Sequence, residues 1–265
     1  MLTPEQLDKL PDKVVALYEA LETQFSTELA HNMRARLILK KTLNELLIKQ
    51  NANVRKAILY NRRKVKKALN EMLTLALNLN LKNDIQATKS PLLTAATAAS
   101  KGITNIALRA GVQNLLADLI QVENKLPAVC ETTLRRTLFE VEQRMQLQVL
   151  SSRATYEEAI KAGIAILSEK GITLKKQNGV SEALDVVVRR SVLTGINAAA
   201  GAASMQNAMN LGFEYVEVSA HIGARNKGVG YVNHESWQGK VYHISDQREA
   251  LRLSQLARPV GYQVR

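Results

Sequence analysis

Cysteine occurs once in the 265 residues, at Cys130, which excludes an internal disulfide and any metal site built from several cysteines. A single thiol fits a chain made in a reducing cytoplasm. Aromatic residues are also scarce, at 4%. A core must therefore rest on Leu, Ile, Val and Ala, the residues of packed helices. The opening Met1-Leu2-Thr3-Pro4-Glu5 has neither the basic end nor the apolar stretch of an export leader. No apolar run reaches the roughly 18 residues of a membrane span. The most apolar stretch, Val192 to Met205, is interrupted by Thr194, Gly195, Asn197 and Gly201. Two catalytic signatures are missing as well. No Gly-Lys-Ser/Thr loop follows a strand, and no Gly-x-Ser-x-Gly elbow is present.

Acidic residues nearly vanish from one segment. Between Arg34 and Lys67 stand twelve basic residues (Arg34, Arg36, Lys40, Lys41, Lys49, Arg55, Lys56, Arg62, Arg63, Lys64, Lys66 and Lys67) against Glu45 alone. That local net of +11 accounts for most of the chain's formal +12. The 33 residues before it are acidic, with Glu5, Asp8, Asp12, Glu19, Glu22 and Glu28 set against Lys9 and Lys13. The charge is a patch.

Thr3, Pro4 and Gln6 stand where a capping box and an N-terminal helix require them. A short helix is expected to end near Leu10-Pro11, and a longer one to run from Asp12 into the basic segment. From Val54 to Ala76 the apolar residues Val54, Ile58, Val65, Leu69, Met72 and Ala76 share a stripe at about 100° per residue. Arg55, Lys56, Arg62, Arg63, Lys66 and Lys67 fall on the other face, interrupted by Leu59 and Tyr60. Asn78 to Pro91 reads as a connection. Helices are expected again over Leu92–Asn124, interrupted by Pro127, from the Thr155-Tyr156-Glu157-Glu158 capping box to Gly171, and over Ser181–Asn210. After Gly212 the period changes to two, so that Tyr215–Ala220 and Gly239–Ser245 read as strands, and Asp246–Leu256 as a terminal helix. The expected fold is mostly α: long amphipathic helices forming an elongated body, with a small C-terminal α+β module. By pattern the chain divides into a helical region with a basic face (1–88), a central helical domain (89–211) and a strand-and-loop module (212–265).

The basic helix has two readings. Cations on one face bind phosphates and release counterions, which yields salt-dependent, sequence-independent affinity for nucleic acid. The same face could instead be simply solvated, or docked on an acidic partner. A second cluster gathers His221, Gly223, Arg225, His234, Trp237, Gln238, Gly239 and His243. A metal site or histidine-based hydrolysis is one reading, but no His-x-x-x-His pair or zinc-protease pattern is present. Hydrogen bonding and stacking that organise a small module is the other. Arg189-Arg190 can meet phosphate or lie on a solvated helix face. The residues point to no catalytic site, metal or cofactor.

Three runs carry a family resemblance: Val188 to Asn197, Tyr215 to Arg225, and His234-Glu235-Ser236-Trp237-Gln238-Gly239-Lys240. Together they resemble the phage minor capsid protein 2 family, related to phage head morphogenesis proteins. The Met1–Tyr18 opening and Thr155–Ile160 leading to Gly171-Ile172 are similar too. The likeness is closest from Arg136 to His243 and faintest from Arg34 to Lys125. It implies a low-copy virion component inside the head at the portal vertex, made in the host cytoplasm. Its implied partners are the portal protein, packaged double-stranded DNA, and major capsid or sister subunits, without membrane insertion. Its implied roles are in head assembly, packaging or DNA delivery. Arg189, Arg190, His221, Gly223, Arg225, His234, Trp237, Gln238 and Gly239 carry over as signature residues, with no enzymatic role. Relatives continue into a segment with a Cys-Arg-His motif that this chain lacks, and the Asn226–Val232 loop is longer than usual. A histidine-dependent phage hydrolase and a DNA-binding assembly factor outside the particle remain as alternative readings.

Overall fold

Residues 2–39, 41–88, 91–150, 172–175, 179–210, 212–218, 238–243 and 262–263 are described by the computed structural model, together with single positions 158, 161, 165, 226, 227, 233 and 235. The helices are α1 (Pro4–Lys9), α2 (Asp12–Leu39), α3 (Leu43–Thr88), α4 (Pro91–Glu123), α5 (Leu126–Leu150) and α6 (Leu184–Asn210). Short strands β1 (Thr173–Lys175) and β2 (Ser181–Ala183) pair antiparallel, and β3 (Tyr215–Val218) lies between β4 (Val241–His243) and β5 (Tyr262–Gln263). The mostly helical expectation holds.

Local signals explain several boundaries. Thr3 accepts from the Gln6 backbone N–H, and the Gln6 side-chain oxygen accepts from the Thr3 N–H, completing the expected capping box. Thr42 and Glu45 repeat this reciprocal pattern at the start of α3. Pro127 lies in the first turn of α5, where its missing N–H is not needed. At the end of α6, Gly212 adopts φ +76 and donates to Met209 O at 3.1 Å. Phe213 donates to Ala208 O at 3.1 Å, so the turn is a Schellman cap that only a residue tolerant of left-handed geometry closes cheaply.

Two expectations are corrected. Asn78 to Thr88 is helix, because Asn80 is buried and hydrogen-bonded rather than solvated. Ser181–Ala183 is a strand instead of the start of α6, its ladder with Thr173–Lys175 closed by Leu184 N–H donating to Ile172 O. The expected strands at Tyr215 and Val241 form and pair, Tyr215 opposite His243. The Thr155 capping box, the Gly171 cap and the Asp246–Leu256 helix lie outside the described residues.

The chain divides into two compact units, neither contiguous in sequence. One unit comprises residues 1–11, 68–116 and 191–265. Its core includes Leu73, Leu77, Leu115 and Ile196, all essentially buried. Gly195 of α6 meets Leu115 of α4, and Ala199 meets Gly111, a pairing that runs the two helices antiparallel at close approach. A β-carbon on Gly195 would stand 2.1 Å from Leu115 Cδ2, so the contact requires glycine. Asn80, Asp84 and Ser204 form a polar cluster, Asn80 Nδ2 donating to Ser204 Oγ at 2.8 Å and Ser204 Oγ to Asp84 Oδ2 at 2.7 Å. Asn83 donates to Gln6 at 2.9 Å and so ties α1 to α3.

The other unit comprises residues 12–67 and 117–190. Leu29 and Met33 of α2, Leu47 of α3, and Leu134, Leu138 and Val141 of α5 build one apolar cluster. Tyr18 and Phe25 are also fully buried in this unit. The scarce aromatics are therefore used partly as core, which the sequence pattern does not show.

Candidate nucleic-acid interface

The first half of α3 buries Val54, Ala57, Ile58, Asn61, Val65, Ala68 and Leu69. At about 100° per residue these positions cover one side of the helix and leave the rest to solvent. Arg55, Lys56, Arg63, Lys66 and Lys67 are all exposed on that open side, within a single unit. Lys49, two turns earlier, is exposed on the same face as Lys56. Leu59 and Tyr60, which the pattern marks as intruders, are 59% and 65% exposed. The Lys64 ammonium lies 4.5 Å from the Tyr60 ring centroid, a cation–π contact.

Arg62 is different. It sits about 80° from Val54 around the helix, at the edge of the buried arc. Its guanidinium points inward to Glu123, at 2.9 Å through Nε and 2.7 Å through the second nitrogen. Glu123 is 1% exposed and also accepts from the Tyr18 hydroxyl at 2.9 Å. Burial, followed by the nearby Glu123 charge, pushes the Tyr18 hydroxyl well above its ordinary range. Arg62 thus compensates a buried carboxylate, while five of the six singled-out cations remain on the open face. Glu123 gives no local sequence signal, since its partners lie 61 and 105 residues away.

Acidic residues of α2 are mostly occupied elsewhere. Asp12 pairs with Arg189 at 2.9 Å, Glu28 accepts from Asn53 at 2.6 Å, and Glu22 accepts from the Ile172 N–H. Desolvation raises the Glu22 carboxyl above the ordinary carboxylate range.

Arg189 and Arg190 are both ion-paired. Arg189 ties the start of α6 to Asp12 at the start of α2, and Arg190 meets Glu182 of β2 at 2.7 Å. The hydrogen bond from Arg190 to Glu182 raises the guanidinium further above its ordinary value. Gln238 and Gly239 occupy the turn before β4, where Gly239 has φ +67. The Tyr215 and His243 rings meet edge to face, centroids 4.9 Å apart, across the β3–β4 pair. His221, Gly223, Arg225, His234 and Trp237 lie outside the described residues. Among the described residues, no group of three or more His, Cys, Asp or Glu could hold a metal ion.

Arginines in ion pairs at the head of α6 and a Gln-Gly turn entering β4 occupy the runs that carry the resemblance. The family model for phage minor capsid protein 2 matches residues 2–263. The chain belongs to this family. No curated protein and no solved structure matches it. Membership in the minor capsid protein 2 family makes it a structural component of the phage virion. Among the described residues, no helix is long and apolar enough to cross a membrane.

Proposed function

We propose that this minor capsid protein sits inside the phage head near the portal, its α3 face against packaged double-stranded DNA. It contacts the portal protein, and major capsid or sister subunits, through apolar helix surfaces, and serves head assembly, packaging or ejection. The observation that supports this reading is the exposed cationic face: Arg55, Lys56, Arg63, Lys66 and Lys67 on the open side of one helix. Packaged duplex carries about one negative charge per 1.7 Å, so a rigid row of cations gains affinity by releasing counterions without reading sequence. The C-terminal module, held by its strand ladder and the Tyr215–His243 contact, is a structural element in this reading.

The test has two parts. Changing Arg55, Lys56, Arg63, Lys66 and Lys67 to Gln, with Arg62 left in place to protect Glu123, reduces affinity for a 30-base-pair duplex at least ~100-fold near 0.1 M salt. An unchanged affinity rejects the DNA contact. Mass spectrometry on DNase-treated particles, with protease added before and after opening the heads, finds low-copy peptides cut only after opening. Absence from particles rejects the internal location.

A further inference from the structure

On the first half of α3, six exposed cations fall on two lines, with Lys64 set apart against Tyr60. Lys49, Lys56, Arg63 and Lys67 follow one line along the helix, and Arg55 and Lys66 follow another, roughly 90° away. Between the two lines stand Ala52 and Leu59, both exposed and uncharged, on a course that Lys66 closes two turns beyond Leu59. From Lys49 to Lys67 the first row extends about 27 Å, and from Arg55 to Lys66 the second extends about 17 Å, at 1.5 Å per residue. At the helix surface they stand roughly 9 Å apart, before the long side chains splay outward.

Those dimensions match a duplex groove of one kind. The major groove is about 12 Å wide and admits an α-helix, whereas the minor groove, at about 6 Å, does not. We infer that this stretch of α3 lies along the major groove of duplex DNA, each cationic row on the phosphates of a different strand and the Ala52–Leu59 ridge toward the base edges. The inference rests on the proposed DNA contact and adds how the duplex is held. Leu59 and Ala52 offer no hydrogen bonds, so the ridge fills the groove and touches base edges, thymine methyls included, without selecting a sequence. That is the behaviour wanted of a protein facing DNA of every sequence. Tyr60 lies beyond the Lys49–Lys67 row, its ring covered by Lys64, and so takes no part in stacking between bases.

The experiment uses the full chain and a fluorescent 30-base-pair duplex in three forms: plain, with glucosylated hydroxymethylcytosine filling the major groove, and saturated with a minor-groove ligand such as netropsin. Affinity is expected to fall at least tenfold on the glucosylated duplex and to change less than twofold with netropsin. Leu59→Glu, at an exposed position that leaves the fold intact by circular dichroism, lowers affinity at least tenfold, and Leu59→Gln lowers it only about threefold. Binding that ignores glucosylation but is lost with netropsin overturns the groove assignment and leaves the DNA contact standing. Binding that ignores both modifications and Leu59→Glu reduces the contact to unstructured charge attraction. No duplex binding even at low salt overturns both readings, and leaves the cationic face to an acidic protein partner.

Discussion

At the scale of single residues, Arg62 shows how one charge on a basic helix differs from its neighbours. Glu123 is buried with two partners, Tyr18 and Arg62, and removing the cationic one leaves a carboxylate with no compensating charge. Arg62→Ala is therefore expected to destabilise the protein by about 3 kcal/mol, with Arg63→Ala within about 0.5 kcal/mol of the parent, by urea denaturation. Changing Glu123 to Gln in the Arg62→Ala background should recover part of the loss. If Arg62→Ala and Arg63→Ala cost the same, the Glu123 pair is not what holds Arg62.

Cys130 is fully buried, and burial pushes its thiol up to about 12, with Glu22 adding to the shift. The unfolded thiol ionises near its ordinary value of about 8.5. As pH rises from there toward 12 the unfolded state loses its proton first, so stability is lost across that window. The stability gap between parent and Cys130→Ala should narrow over the same range. Below the lower bound, a thiol reagent should label Cys130 only when denaturant is added.

At the scale of elements, α4 and α6 depend on the absence of a side chain at Gly195. Mid-helix glycine costs about 1 kcal/mol in propensity relative to alanine, so Gly195→Ala would stabilise an isolated helix. In the protein the new methyl would stand 2.1 Å and 2.4 Å from Leu115 Cδ2 and Cγ, and Cγ is not a flexible tip. Gly195→Ala is expected to be destabilising by about 1–3 kcal/mol, with Gly111→Ala milder because its nearest neighbour, Ala199 Cβ, is at 3.0 Å. Gly195→Ala combined with Leu115→Ala should relieve the clash at the cost of a smaller core. A thermal melt of the four proteins checks the order.

Helix starts were legible where short-range chemistry sets them. Thr3, Pro4 and Gln6 close a capping box within four residues, and the structure contains it. The amphipathic stripe from Val54 to Met72 was legible for the same reason, since a period along one helix reports which side is covered. The end of α3 was not. Asn78, Asn80 and Asn83 look like a connection by composition, but Asn80 and Asn83 bond to Ser204 and Gln6 far along the chain. Strand β1, three residues long, has too few positions for alternation to register.

At the scale of the whole molecule, the contact pattern does not follow sequence order. Each unit draws on separate segments, and α3, α4 and α6 each contribute residues to both. A fragment ending at residue 88 lacks Leu115 and Ile196 for one unit, and Leu134 and Leu138 for the other. Such a fragment is expected to lose its cooperative unfolding transition and much of its helicity by circular dichroism. Cooperative unfolding of residues 1–88 alone would contradict this dependence. For the full chain, the logarithm of duplex affinity should fall against the logarithm of salt with a slope near −5, from the six cations Lys49, Arg55, Lys56, Arg63, Lys66 and Lys67.

The class of fold, the first helix cap, the strands at Tyr215 and Val241, the location of the charge and the family were all readable along the chain. Each follows from patterns within one helix, one turn or one strand, or from runs of residues in fixed order. That Arg62 serves Glu123, that Gly195 admits Leu115, and that Arg62 alone of the six singled-out cations turns inward came from packing between helices. Those depend on which side of each helix is covered and by what. The covering residues come from positions tens to more than a hundred apart, a distance over which local pattern carries no information.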